Sequence, residues 1–224
     1  MAMPAFLFDL DGTLIDSVYQ HVLAWHDALA SGGIQLSVWR IHRRIGMSGG
    51  LLVNALARET GRSISADEAE RLQKEHAAAY KRRAGDVRPL PGARELLRCL
   101  RECGVPYAIA TSGRRESAQP ALDALGISEN DAVITRDMVR HAKPDPDLFL
   151  AAAEKLGVDI THSVVVGDSV WDLLAARRAR ALGVGLLSGG YGEDELQSAG
   201  AYRVYQDPAD LLTHLDEVGV RTAE

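Results

Sequence analysis

An alternation constrains this chain more than any other feature of its sequence. Short apolar runs rich in β-formers recur along it: "FLF" at Phe6 to Phe8, "YAIAT" ending at Thr111, "AVIT" ending at Thr135, "SVVVGD" ending at Asp168, "GVGLL" ending at Leu187 and "YRVY" ending at Tyr205. Helical patterns separate most of them. "GARELLRCLREC" follows Pro91 with apolar residues at three- and four-residue steps. "DPDLFLAAAEKLG" places Asp145 to N-cap, Pro146 at the first helical position and Gly157 as a stop, and "VWDLLAARRARALG" ends in Gly183. Strands apolar on both faces, alternating with helices of this length, predict a parallel α/β sheet with right-handed crossovers.

One interval breaks the alternation. From about Ser17 to Arg88 only helical signals occur: "VYQHVLAWHDALA", "SVWRIHRRIG", "LLVNALARETG" and "ADEAERLQKEHAAAYKRR". The exits read "IDS" at one end and "VRPLPG" at the other, where two prolines stiffen the return. The expected architecture is therefore α/β. A Rossmann-like parallel-sheet core takes residues 1–16 and 89–224, and an inserted all-helical cap takes residues 17–88.

Composition narrows the function classes. The chain has 224 residues, 46% hydrophobic and 25% charged, the balance of a globular protein with a sizeable core. Its formal net charge of −6, with no dominant basic run, argues against nucleic acid as a partner. No apolar stretch reaches membrane-spanning length and "MAMPAF" lacks signal-peptide features, so a cytoplasmic protein without a membrane role is expected. Cys99 and Cys103 lie four apart on an amphipathic segment, a spacing that suits burial of one helical face better than a disulfide or a zinc site.

The chemistry-bearing residues gather where the strands end. Asp is a poor strand former, so Asp9 marks the end of the first strand, and Gly12 in "DLDGT" permits the tight turn that follows. Thr111 and Ser112 in "TSG", Lys143 in "KPDP", and Asp168 and Asp172 in "GDSVWD" occupy corresponding places. Ligands of open α/β sheets bind in the crevice beyond those ends. Two carboxylates about 4 Å apart repel by about 4 kcal/mol at an effective dielectric near 20, enough to protonate one of them. A hard divalent cation with oxygen ligands resolves that conflict, and Lys143 adds a fixed positive charge. Read alone, Asp9 and Asp11 fit a strand-ending turn, Lys143 a solvated lysine, and Asp172 an acid favoured by the helix dipole. In this order, with a helical insert after the first segment, the four segments together specify much more.

They resemble the motifs of the haloacid dehalogenase superfamily of aspartate-nucleophile phosphohydrolases, in the branch that carries a helical cap after the first motif. That branch includes phosphoglycolate phosphatases and β-phosphoglucomutase. The resemblance spans nearly the whole chain. It implies Asp9 as nucleophile, Asp11 as general acid and base, and Thr111 and Lys143 on the transferring phosphoryl group. It further implies Mg²⁺ held by Asp9, the Asp11 carbonyl and Asp168, with Asp172 orienting the metal's waters and Ser112 and Gly113 near the phosphate. Phosphoryl transfer is chiefly positioning and charge stabilisation, which these parts supply.

The cap would read the leaving group. In "RRIGMSGGL", Gly46, Gly49 and Gly50 mark a flexible loop, and Ser48 is placed to N-cap the next helix. Arg43 and Arg44 are candidates for a substrate anion, or equally a solvated helix face. His21 and Trp25 share a helical face near the hinge; His21 resembles a hinge histidine of sugar-phosphate mutases, though the pair also suits plain packing.

Departures from the relatives sort the activities. Gly49 stands where the mutases carry arginine, no lysine precedes Lys74 for a Schiff base, and Asp11 is the second acid that dehalogenases lack. A Mg²⁺-dependent phosphatase acting on a small phosphorylated metabolite is expected. The alternatives are β-phosphoglucomutase-like transfer or a phosphate-binding module without turnover.

Overall fold

The computed structural model describes residues 4–220. Its sheet contains six strands: β1 (Ala5–Phe8), β4 (Tyr107–Ala110), β5 (Ala132–Ile134), β6 (Ser163–Gly167), β7 (Leu182–Leu186) and β8 (Ala201–Tyr205). Their order is β5-β4-β1-β6-β7-β8, and every pairing is parallel. The chain runs outward from β1 through β4 to β5, then returns to the other side of β1 for β6 and continues to β8. That reversal leaves a crevice at the carboxyl end of β1, where such sheets hold their ligands.

Both faces of β1 are covered, as its unbroken apolar run requires. Phe6 and Phe8 join Leu96, Leu100, Ile109 and Val166 in one core cluster. Leu7 packs on the other side with Ala108, Leu148, Phe149 and Val165. The flanking helices are α5 (Ala93–Glu102), α6 (Arg115–Leu125), α7 (Asp147–Leu156), α8 (Val170–Ala179), α9 (Glu193–Ala199) and α10 (Pro208–Thr213). Cys99 and Cys103 are free thiols, partly buried against the first cluster.

Two expected boundaries differ. Helix α7 starts at Asp147 with Pro146 in the capping position, and Asp145 instead pairs with Arg178 at 3.4 Å. Pro146 already has helical angles and its carbonyl accepts from Leu150, so it closes the first turn one residue later than the composition suggests. Helix α8 stops at Ala179 on a left-handed Arg180 rather than at Gly183. Gly183 lies inside β7, where a Cβ would stand 3.1 Å from Leu173 and 3.2 Å from the Gly200 carbonyl. Its missing side chain serves close helix–sheet packing rather than helix termination.

The interval after β1 holds α1 (Val18–Ser31), α2 (Val38–His42), α3 (Gly49–Glu59) and α4 (Ala66–Arg83). These helices bury their own apolar cluster, including Val22, Trp25, Leu29, Ile41, Leu56 and Leu72. A two-stranded antiparallel ribbon of β2 (Ile15–Asp16) and β3 (Arg88–Pro89) ties the entry of this layer to its exit. Among the described residues no helix is long and apolar enough to cross a membrane.

Leu29 is fully enclosed in the helical layer. Truncating it removes a buried side chain and leaves a cavity, so Leu29→Ala lowers unfolding free energy by about 2–5 kcal/mol in urea titration.

Candidate active site

Register alone brings the key residues together. Phe8 lies opposite Ile109 on β4 and Val166 on β6. Asp9 follows Phe8 directly, while Thr111 and Asp168 each come two residues after its partners. All three therefore emerge at the same edge of three adjacent strands. The chain then turns tightly: the Gly12 amide donates to the Ile15 carbonyl at 2.7 Å, and Gly12 takes a φ of 87°. A second constraint on Gly12 is contact, because a Cβ there would lie 2.5 Å from Asp168 Oδ2. A Cβ on Gly189 would overlap the same oxygen.

Four charged groups are buried here. Lys143, from the loop before α7, is wholly enclosed; its ammonium donates to Asp9 Oδ1 and lies 2.7 Å from Asp172 Oδ1. The Phe149 ring packs 5.0 Å from the same nitrogen. Burial works against the charge on Lys143, but Asp172 and Asp9 outweigh it and hold the ammonium above its ordinary range. Asp172 also accepts from the Ser169 amide at 3.1 Å and hydroxyl at 2.5 Å, so one side chain caps α8 and anchors the lysine.

Asp168 is the acid without a cation. Thr13 Oγ1 donates to it at 2.9 Å, and it has no ion pair among the described residues. Burial, then Asp172 and Asp9, push its carboxyl well above the usual carboxylate range. Burial likewise pushes Asp9 up to about 7 despite Lys143, with Asp172 and Asp11 adding to the rise. Ligand atoms of Asp9, Asp168 and Asp172 lie within 4.8 Å of one another. With all three carboxylates ionised, one ammonium would leave two negative charges in a buried site, which is why Asp9 and Asp168 hold their protons. A divalent cation with oxygen ligands fits both the donor set and that excess.

Asp11 sits apart from this cluster and borders a cavity. Ser17 Oγ donates to its Oδ1 at 2.6 Å, and His21 Nε2 approaches the same oxygen at 3.2 Å. Burial raises the Asp11 carboxyl, but His21 and the Ser17 hydroxyl together hold it below its ordinary value. Asp9 and Asp11 thus have opposite environments two residues apart.

The cavity, about 560 Å³, opens between the sheet edge and the helical layer. Asp9, Asp11, Thr111, Ser112 and Gly113 line its floor, and His21, Gly46 and Ser48 its roof. Thr111 Oγ1 accepts from the Gly113 amide at 3.0 Å, and Ser112 Oγ donates to the Gly46 carbonyl at 3.0 Å, joining floor to roof. Gly46, at a φ of 95°, approaches so closely that a Cβ would lie 2.7 Å from Ser169 Oγ. Ser48 occupies the N-cap position of α3, where its carbonyl accepts from the Leu52 amide at 2.9 Å but its side chain makes no cap bond.

The arginines of the cap loop do not reach the cavity, which corrects their assignment as candidates for a substrate anion. Arg44 pairs with Glu59 and lies over the Trp171 ring at 6.0 Å. Arg43 pairs with Glu195 and stacks on Tyr191 at 4.2 Å. Acidic and aromatic partners outside the cavity draw both guanidinium groups away from it.

Sequence reasoning missed Thr13 and a row on α4. Gln73 and His76 line the cavity, and Tyr80 stacks on His21 with ring centroids 3.9 Å apart. A signal for them existed: positions 69, 72, 76, 79 and 80 form one helical stripe, in which His76 is the polar exception among Ala69, Leu72, Ala79 and Tyr80.

Comparison with known proteins places this geometry. The family model described as haloacid dehalogenase-like hydrolase matches residues 3–180. The chain is 33% identical over 210 residues to phosphoglycolate phosphatase of Caulobacter vibrioides, covering 92% of this chain and 85% of that one. It is 30% identical over 222 residues to N-acetylmuramic acid 6-phosphate phosphatase of Pseudomonas aeruginosa, covering 96% of each. The crystal structure of a hydrolase from Pseudomonas syringae superposes with a TM-score of 0.95 at 55% identity, covering 97% of this chain and 100% of that one.

The folded state keeps protons on Asp9 and Asp168 after the unfolded chain, with Asp near 3.8, has lost them. Stability from these groups is full below about pH 4; the share of Asp9 is lost as pH rises through about 7, and that of Asp168 is lost in the same sense as it ionises. A divalent cation held by this cluster would displace those protons and reverse the loss. Calorimetry should show a rise in melting temperature on adding divalent cation that is larger near about pH 8 than near about pH 5 and absent in Asp168→Ala.

Proposed function

Because the chain belongs to the haloacid dehalogenase-like hydrolase family and is a phosphoric monoester hydrolase of that family, we propose that it cleaves small phosphorylated metabolites in two steps through Asp9, with Mg²⁺ as the cation. One observation carries the reading: Asp9 faces the cavity while its Oδ1 is held by Lys143, and its neighbour Asp168 has no Lys, Arg or His paired with it among the described residues. Mg²⁺ bound by Asp9, the Asp11 carbonyl and Asp168 would neutralise the excess charge and polarise the phosphoryl oxygens.

The chain's own residues do the rest. In the first step an Asp9 oxygen attacks phosphorus, the ester P–O bond breaks, and Asp11 gives its proton to the leaving oxygen. The products are the free alcohol and an aspartyl-phosphate. In the second step Asp11 takes a proton from water, whose oxygen attacks phosphorus, and the Asp9 carboxylate leaves with inorganic phosphate released. Asp11 is held ionised in the free protein, the state the second step needs. An incoming phosphate dianion beside it favours the protonated state that the first step needs. Thr111 and the Gly113 amide steady the transferring group, and Lys143 keeps Asp9 oriented and offsets its charge. Asp172 holds Lys143 and, through the cap of α8, fixes the loop that carries Asp168.

Residues 17–88 serve as the lid in this reading. Their separate apolar cluster and single ribbon attachment suit movement as a unit, and closure excludes water from the acyl-phosphate. The relatives named for phosphatases support hydrolysis over mutase transfer. So does the outward turn of Arg43 and Arg44, which leaves the roof without a cation for a second phosphate.

With para-nitrophenyl phosphate and Mg²⁺, Asp9→Asn should reduce turnover by at least about a thousandfold while the variant melts like wild type. Asp11→Asn should lose far more on an alkyl phosphate than on the aryl ester, whose leaving group departs without a proton. Wild-type rates in Asp9→Asn would refute the mechanism.

A further inference from the structure

One short segment beyond β7, Ser188 to Tyr191, touches both the acid cluster and the helical layer. Ser188 Oγ donates to the Gly12 carbonyl at 2.6 Å and so braces the turn that carries Thr13. Gly189 is buried and has no room for a Cβ beside Asp168 Oδ2, so its Cα packs directly on that acid. The next two residues face the helices. A Cβ on Gly190 would lie 2.9 Å from Tyr19 Oη and 3.1 Å from His42 Nε2, and Tyr191 Oη donates to the Arg43 carbonyl at 3.0 Å.

Gly189 belongs to both contacts. Its carbonyl accepts from His42 Nε2, at the end of α2, at 2.7 Å. A carbonyl only accepts, so Nε2 carries a hydrogen whichever charge the ring has. The Tyr19 ring stacks on His42 at 5.5 Å and 6°, and the Tyr191 ring flanks it at 5.8 Å, so the imidazole is fixed in plane. The Cα and carbonyl of Gly189 lie in one rigid peptide plane. The donor that holds the oxygen therefore also holds the Cα that walls Asp168. Arg43, by contrast, is tied to the segment and α9 in several ways: its carbonyl by Tyr191 Oη, its guanidinium by Glu195 and by the Tyr191 ring at 4.2 Å.

We propose that His42 is a positioning residue for the divalent cation: through the Gly189 peptide it holds Asp168 in place, and so makes cation binding depend on the seating of the helical layer on the sheet layer. Groups that orient a ligand without touching the metal set its affinity as strongly as many direct contacts do. The coupling runs both ways. A cation that gains affinity from the seated layer stabilises that seating by the same factor. Which ester is cleaved does not enter.

Isothermal titration with Mg²⁺ alone, in the absence of any ester, reads the effect directly. His42→Ala should raise the dissociation constant by roughly fivefold or more. His42→Gln, whose side-chain amide can donate to the same carbonyl, should stay within about twofold of wild type. Tyr191→Phe removes a different bond between the layers, leaves Arg43 paired with Glu195 and does not touch the Gly189 carbonyl, so it too should stay within about twofold. Thermal melting without cation establishes that each variant is folded. In wild type, Mg²⁺ should also slow amide hydrogen exchange in residues 38–47, and in His42→Ala it should not. Wild-type affinity in His42→Ala, equal weakening in His42→Gln or Tyr191→Phe, or exchange in wild type that Mg²⁺ leaves unchanged would overturn the proposal. Wild type that binds no Mg²⁺ would overturn it together with the choice of cation, whereas turnover of para-nitrophenyl phosphate tests the phosphatase reading separately.

Discussion

Three buried carboxylates around one ammonium set the terms for this molecule. Lys143 satisfies Asp9 and Asp172, and among the described residues Asp168 is left with only the Thr13 hydroxyl as a side-chain donor. Such an arrangement costs stability in the absence of a further cation, because charged groups have been removed from water without full compensation. The fold accepts that cost at a single place, the carboxyl edge of its three central strands. Elsewhere those strands are sheathed in aliphatic and aromatic side chains. Strain between stability and activity is therefore confined to the site where a cation and a phosphoryl group would relieve it.

Much of the surrounding structure serves to hold that cluster. Parallel register brings Asp9, Thr111 and Asp168 to one edge. Gly12 and Gly189 are small because the Asp168 carboxylate occupies the space that a Cβ on either would need. Helix α8 is capped by the acid that also holds the lysine, so the helix terminus and the charge network stand or fall together. The helical layer meets the sheet layer through backbone as much as through side chains: Gly46 comes against Ser112 and Ser169, and His42 reaches the Gly189 carbonyl at 2.7 Å. Both contacts touch loops that carry site residues, so the position of the helical layer and the site geometry are linked.

The parallel sheet and the interval of four helices were legible because each rests on local periodicity, read directly from "FLF", "SVVVGD" or "ADEAERLQKEHAAAYKRR". Strand-end acids were legible because Asp9 and Asp168 contradict the strands they follow. What sequence could not supply was direction. Arg43 and Arg44 look like anion ligands in one dimension, yet Glu195 and Glu59, distant in sequence, turn them outward. His76 reads as one polar residue in an apolar stripe until α1 brings His21 within 3.1 Å. Gly183 looks like a helix stop, and only the neighbouring Leu173 and Gly200 reveal a packing role. Local rules place elements; the partners of long polar side chains are decided by tertiary contacts.

The central claim is that Asp9 itself accepts the phosphoryl group. Borohydride reduces an acyl-phosphate of aspartate to homoserine, which peptide mass spectrometry locates by residue. The measurement quenches wild-type protein during turnover of a phosphomonoester with Mg²⁺, treats it with borohydride and maps the peptide containing residues 4–17. The account predicts homoserine at residue 9, dependent on both ester and cation. Continued turnover with residue 9 unmodified, or homoserine appearing instead at residue 11, 168 or 172, would contradict it.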